Sequence, residues 1–360
     1  MRLALIRRQF SAIGGAELYL QRLLRELAGR GHELHLFTQS WQEPPPGVTL
    51  HTVPVSAPRA ERPVRFARAV ADLLQSQSFD CVFSLERTLR QDVYRAGDGV
   101  HACWLQQRRR FSLWWIKPFV GRSAFHRNML ALEAQTLDAR HTRHIIVNSE
   151  MVKQEIIERF RFPAERLHLI RNGVDVERFQ RVDRTRARAR WNLAEDEFVL
   201  LFAGSGWERK GLLYLFKAMR QLRTEKIRLL VVGKGTPPWF VPPQIQFVGP
   251  LAQVEEAYAA ADLFVILPIY EPSANVCFEA LAAGLPVVTT RLNGACEVVQ
   301  EKVNGSVVDR PDQIEAVVKA IRLWMSRPRR RVPTLVDLSL ERNVAETLAV
   351  LELAAREKGA

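Results

Sequence analysis

"FVLLFAGSGWERKGLLYLFKAMRQL" occupies residues 198–222. An apolar run leads into Gly204 and Gly206, and apolar residues then recur at helical spacing. Such an order reads as a strand, a glycine turn and an amphipathic helix, the repeating unit of a parallel α/β sheet. The amino end has the same order: "LALI", then the polar "RRQFSAIGGA", then "ELYLQRLLRELAGRG", with Leu18, Leu20, Leu23, Leu24 and Leu27 at helical spacing and Gly29 and Gly31 bracketing the end. A pattern that begins twice predicts two successive doubly wound, Rossmann-like α/β domains.

Both series continue. "HELHLFT", "HTVPV", "FDCVFSL" and "HIIVNS" supply strands to the first; "IRLLVVGKG", "IQFVG", "LFVILP" and "PVVTT" supply strands to the second. "LAQVEEAYAAA" and "NVCFEALAAG" are the helices between the later ones. The expected domains are 1–165, 166–330 and a closing segment 331–360. The basic "RPRRRVP" (327–333) would be a linker, and "LERNVAETLAVLELAAREKG" a helix packing back on the first domain. A length of 360 residues suits two domains of ordinary size, and 47% hydrophobic with 25% charged residues fits a folded chain.

No uncharged apolar run reaches the ~18 residues of a membrane-spanning helix. The start "MRLALIRRQFSAIGG" has too short an apolar run for a secretory signal. Cys81, Cys103, Cys277 and Cys296 lack paired spacing, so neither zinc nor a disulfide framework is expected and a reducing cytoplasm fits. A formal charge of +13 calls for an anionic partner: phosphorylated ligand, anionic lipid or nucleic acid.

In open α/β sheets ligands bind beyond the carboxyl ends of the strands, so two such sheets facing each other would enclose an interdomain cleft. Gly14 and Gly15 open the first helix, where free amides favour an anion. In "AGSGWERKGL", Arg209 and Lys210 precede a helix. Guanidinium binds two oxygens and ammonium adds a point charge, a receptor for a diphosphate. In "YEPSANVCFEALAAGLPVV" (270–288), Glu271 lies in a turn and Glu279 one turn into a helix from Asn275 to Ala283, stopped by Gly284 and Pro286. Amides near Ala274, Asn275 and Val276 would point into the cleft. A carboxylate this close to phosphates is there for hydroxyls: Glu279 suits a ribose diol, and Glu271 the hydroxyls of a sugar beyond the diphosphate.

These motifs, taken in order, resemble those of the retaining family 4 glycosyltransferases of GT-B fold. The resemblance spans nearly the whole chain: "GGAE" (14–17), "RNGVD" (171–175), "GSGWERKG" (204–211), "FVG" (247–249), two glutamates eight positions apart before "ALAAGLPVV", and "NG" (304–305). It implies that Arg209 and Lys210 bind the donor diphosphate, Glu279 the ribose and Glu271 the transferred sugar. Backbone around Val248 would meet the base, and transfer would retain configuration. Pro272, Ser273, Ala274 and Asn275 depart from the glycine and phenylalanine usual after the first glutamate, which implies a differently shaped sugar pocket.

"DVYRAGDGVHACWL" (92–105) ends the first domain's fourth strand and supplies Asp98 and His101, candidates for contacts to reacting hydroxyls. It is similar to the same stretch in enzymes of the lipopolysaccharide-core glucosyltransferase type. That implies Asp98 at the acceptor hydroxyl, His101 at the sugar or departing phosphate, and UDP-glucose as donor. Between Asp98 and Glu133 there is no acid, yet Arg108, Arg109, Arg110, Lys117, Arg122 and Arg127 alternate with Trp104, Phe111, Trp114, Trp115, Phe119 and Phe125. Aromatic residues insert at a headgroup boundary and arginines meet anionic lipid. The stretch reads as a membrane face, and the resemblance implies the same: a lipid-linked saccharide as acceptor, a place on the inner side of the cytoplasmic membrane, and no nucleic-acid partner. RNA binding or helix–helix packing would use the same residue types.

No Asp-x-Asp pair occurs, so neither a metal nor another cofactor is expected, and cations would neutralise the leaving group. Two other functions remain open. A nucleotide-sugar epimerase of the same architecture would not need the aromatic face, and a basic nucleic-acid-binding protein would leave the ordered motifs unexplained.

Overall fold

The computed structural model describes residues 1–9, 15–41, 46–239, 241–329 and 331–359, with the backbone alone for 15–19 and 22. It divides into one unit of Met1–Arg171 with Glu341–Ala360 and another of Asn172–Leu340.

The first unit holds β1 (Arg2–Ile6), β2 (Glu33–Thr38), β3 (Val48–Thr52), β4 (Cys81–Ser84), β5 (Gln91–Arg95), β6 (Thr142–Val147) and β7 (Leu167–Leu169). They form one parallel sheet in the order β3-β2-β1-β4-β5-β6-β7. Leu3, Ala4, Leu5 and Ile6 are wholly buried, as expected of a central strand covered on both faces. The predicted helical face of Gly15–Gly29 is also buried at Leu20, Leu23, Leu24 and Leu27.

The second unit holds β8 (Phe198–Ala203), β9 (Ile227–Val232), β10 (Ile245–Gly249), β11 (Leu263–Val265), β12 (Val287–Thr290) and β13 (Gly305–Val308). Their order is β10-β9-β8-β11-β12-β13, again all parallel. Strand order reverses between β1 and β4 and between β8 and β11, the switch points where such sheets bind ligands.

Three strands escaped the sequence reading. β5, "QDVYR", hides among polar residues, yet it is central and buried. Its polar groups are satisfied internally: Asp92 accepts from the Val82 amide and from Lys358 Nζ, both at 2.8 Å. Asp98 and His101 therefore follow the fifth strand, not the fourth. β7 and β13 are too short to show periodicity, and "HTVPV" lies later than the strand Val48–Thr52.

The predicted boundary at residue 165 moves to 171, because β7 pairs with β6 in the first sheet. "RPRRRVP" is not a free linker: the Val332 amide donates to Gly284 O at 2.9 Å, and the Val174 amide to Leu338 O at 2.8 Å. Residues 331–340 thus belong with the second unit. From Glu341 onward, helix Leu340–Gly359 groups with the first, where Glu357 meets His144 Nε2 at 2.9 Å.

Candidate active site

β8 runs out into Gly204, whose φ is +131°. A β-carbon there would lie 2.8 Å from Cε of Lys210, so glycine leaves the space into which the lysine folds back. Arg209 and Lys210 close a one-turn helix, Trp207–Lys210, and Gly211 at φ +77° redirects the chain into helix Leu212–Gln221. A β-carbon at Gly211 would come within 1.7 Å of Leu267 O. The clasp is tight because the Leu267 amide donates to Lys210 O (3.2 Å) and the Ile269 amide to Arg209 O (3.0 Å). The loop after β11 is thereby tied to the loop after β8, and both cations face one carboxylate. Glu271 Oε2 lies 3.0 Å from Arg209 Nη1 and 3.4 Å from Lys210 Nζ.

Glu271 is itself fixed by backbone: its amide donates to Leu292 O (2.8 Å), and its carbonyl accepts from Gly294 (2.9 Å). Between those residues sits Asn293, fully buried, whose Oδ1 accepts from the amides of Ala274 and Ala295, both at 3.1 Å. The Ala274 amide is therefore not open to a ligand, contrary to the expectation from sequence. The amides of Asn275 and Val276 begin helix Asn275–Ala282, and the first amides of a helix have no acceptor within it. Asn172 of "RNGVD" holds this entrance through Asn275 Oδ1 (2.6 Å) and Ser273 O (3.4 Å). The Ser273 hydroxyl is buried without a described partner.

Glu279, half-buried one turn on, accepts from the buried Tyr258 hydroxyl at 2.7 Å. Burial raises the Glu279 carboxyl above the usual range, against the opposing effects of the Tyr258 hydrogen bond, Arg178 and Lys210. Val248 is half-buried near the carboxyl end of β10, one residue before Gly249, whose carbonyl accepts from Gly233. The second unit therefore gathers Arg209, Lys210 and Glu271 at one point. Sequence reasoning missed Asn293 and Tyr258, because each acts through a partner distant in the chain.

In the first unit, Gly14 lies outside the described residues, and Gly15 begins the helix Gly15–Gly29. Asp98 is exposed and lines a cavity of about 140 Å³ with Arg8, Phe66, Glu86, Arg87 and Phe125. Glu86, another residue that sequence reasoning missed, has its carboxyl raised by burial although Arg7 lies 3.4 Å away. His101, expected at the sugar or the departing phosphate, has a partner within the protein. Its Nε2 is 3.0 Å from His126 Nδ1, and burial, with Arg87 and His126, lowers its pKa to about 4. A neutral ring gives a hydrogen bond and no charge. The amides of His101 and Ala102 are also taken, by the buried Glu133 at 2.6 and 3.0 Å.

The basic aromatic stretch splits in two. Trp104, Phe111 and Phe125 are half-buried, with Trp104 stacked 5.6 Å from His101. Leu113, Trp114, Trp115, Ile116 and Phe119 are exposed, Trp114 by 78% and Phe119 by 70%. Arg109, Arg110 and Arg122 are exposed beside them, with Arg108 and Lys117 partly so. Among the described residues no helix is long and apolar enough to cross a membrane.

Comparison with known proteins follows this division. Residues 13–178 match the family described as Glycosyltransferase Family 4, and residues 197–327 the family described as Glycosyl transferases group 1. The chain is 26% identical over 333 residues to the lipopolysaccharide glucosyltransferase WaaG of Escherichia coli (strain K12), covering 87% of each. It is 26% identical to the D-inositol 3-phosphate glycosyltransferase of Segniliparus rotundus, covering 86% of this chain and 76% of that one. The crystal structure of WaaG superimposes with a TM-score of 0.77 at 23% identity, covering 99% of this chain and 98% of that chain. Anabaena Alr3699/HepE, solved with UDP and glucose, gives 0.71 at 18% identity over the whole of both chains. The protein belongs to the glycosyltransferases of GT-B fold, with a family 4 domain followed by a group 1 domain.

Proposed function

We propose that this glycosyltransferase moves a hexose, expected to be glucose from UDP-glucose, to a hydroxyl of a membrane-anchored glycolipid, expected to be the inner-core heptose of lipopolysaccharide, with retention at the anomeric carbon. The observation that carries the donor half is the convergence of Arg209 and Lys210 on Glu271. A diphosphate fits the two cations, and the sugar beyond it would meet Glu271, while the ribose meets Glu279 and the base meets backbone around Val248.

Charge develops on the leaving diphosphate as its bond to the anomeric carbon breaks. Arg209, Lys210 and the amides of Asn275 and Val276 would meet that charge, in the manner of a preorganised oxyanion site, with no metal required by the reading. The anomeric carbon gains oxocarbenium character, and the acceptor hydroxyl, oriented by Asp98, attacks on the face the phosphate leaves while its proton passes to the departing diphosphate oxygen. His101 would donate a neutral hydrogen bond to the sugar. Trp114 and Trp115 with Arg108, Arg109, Arg110 and Lys117 support the membrane half: exposed indoles beside cations suit an anionic lipid surface, peripheral on the cytoplasmic side.

The test is acceptor-dependent release of nucleoside diphosphate from a panel of UDP-, GDP- and ADP-sugars, with the product's anomeric configuration read by NMR. Absence of acceptor-dependent release from every donor would sink the reading. Interconversion of a nucleotide sugar without acceptor would favour an epimerase.

A further inference from the structure

Helix Glu255–Ala260 carries Tyr258, an aromatic residue inside an otherwise small-residue run. Its ring is fully buried, edge-on to Phe179 at 5.3 Å and stacked on Phe264 at 5.8 Å. Packing of this kind fixes where the hydroxyl sits. A buried phenol needs a partner, and it finds Glu279 Oε2 at 2.7 Å, with Val276 O a weaker contact at 3.4 Å. Glu279 is a side chain with three rotatable bonds on a short helix. One oxygen held from behind by a rigid donor restricts those bonds and turns the carboxylate in one direction.

We propose that Tyr258 is a positioning residue for the nucleotide: its hydroxyl clamps one oxygen of Glu279 so that the other is presented to the two hydroxyls of a ribose. The inference rests on the donor-site reading above and adds to it the residue that sets the geometry of diol recognition. The clamp also acts on the charge state, because a hydrogen bond donated to a carboxylate favours its ionised form. Four other groups bear on this pair. Arg178, from helix Val176–Gln180, and Lys210 favour ionisation of Glu279; Glu255, at the start of Tyr258's own helix, opposes it; Cys277 acts on the phenol. Arg178 is itself paired with Glu255 at 2.7 Å, which weakens both. A diol donates to an ionised carboxylate, so nucleotide affinity should fall as pH drops through the Glu279 titration. Removing the phenol hydroxyl should start that fall at a higher pH.

The experiment uses the full chain and measures binding of UDP and of 2′,3′-dideoxy-UDP by calorimetry across a pH series, for the wild type and Tyr258→Phe. The wild type is expected to prefer UDP. Tyr258→Phe should reduce that preference roughly three- to tenfold and shift the acid limb of UDP binding upward in pH, leaving the dideoxy analogue unchanged. Phe264→Leu disturbs the same packing while keeping the hydroxyl, so it should lower the melting temperature and keep the preference. In a Glu279→Gln background, Tyr258→Phe should lose its pH effect altogether.

The outcomes separate cleanly. A wild type that binds both ligands equally, or binds no UDP, overturns the donor-site reading and this inference with it. A wild type that prefers UDP, with Tyr258→Phe showing the same preference and the same acid limb, overturns the clamp alone. Loss of preference in Phe264→Leu as well would assign the effect to packing and equally overturn it.

Discussion

The cations proposed for the diphosphate face the protein's own acid. Glu271 Oε2 pairs with Arg209 and Lys210 together, and its side chain is only 10% exposed. A diphosphate must displace that carboxylate from the cations or share them with it. Replacing Glu271 by Gln keeps the shape and removes the competing charge, so it should tighten binding of UDP and of inorganic pyrophosphate. The magnitude follows from the two pairs. Arg209 is 38% exposed, so solvent screens its share heavily, whereas Lys210 is 12% exposed and keeps more of its own. Together they should contribute about 1 kcal/mol of net competition, since the amide still accepts one hydrogen bond and the carboxylate can swing aside. That corresponds to roughly fivefold tighter UDP at low salt, shrinking as ionic strength rises. Uridine, which carries no phosphate, should bind as before. Transfer should become slower, because an amide meets the sugar's hydroxyls less well than a carboxylate. Calorimetry with uridine, UDP and pyrophosphate, alongside kcat on the donor sugar, reads all of this. Unchanged or weaker UDP and pyrophosphate binding would refute the idea that Glu271 and the phosphates share these cations.

Three further outcomes are expected. Arg209→Ala with Lys210→Ala should lower kcat by about a hundredfold or more while the melting temperature holds near that of the wild type; wild-type turnover would remove these residues from the reaction. Trp114→Ser with Trp115→Ser should reduce sedimentation with anionic vesicles without changing hydrolysis of the donor, and equal sedimentation would assign the indoles to another contact. His101 has a folded pKa of about 4 against the ordinary 6.5, so between those values the unfolded chain binds more protons than the native one. Stability should therefore be full above pH 6.5 and decline as pH falls toward 4. His101→Gln should flatten part of that decline in thermal melts, and an identical slope in the variant would show that the ring is not held neutral.

Much of the site was legible because its chemistry is local. Arg209 and Lys210 adjoin each other after a strand, and Glu271 and Glu279 are close in the chain, so spacing alone brought these residue types to neighbouring loops. What spacing could not give is which group faces which. The Ala274 amide looked open and is held by Asn293, and the His101 ring is paired with His126. Tyr258 and Glu86 carried no signal at all, one hidden as a core aromatic, the other as a charge in a loop.

The amino-acid order by itself determined two parallel α/β units, the glycines that turn β8 into its helix, and the residue types at the carboxyl ends of the strands. These depend on periodicity and backbone freedom, which are properties of short stretches. Tertiary structure alone decided that the polar "QDVYR" is a central strand and that residues 331–340 belong with the second unit. It alone also made Arg209 and Lys210 face Glu271 and set a buried phenol behind Glu279. Each of these depends on desolvation and on partners far apart in the chain, and a polar group is satisfied or stranded only once the surrounding elements have closed around it.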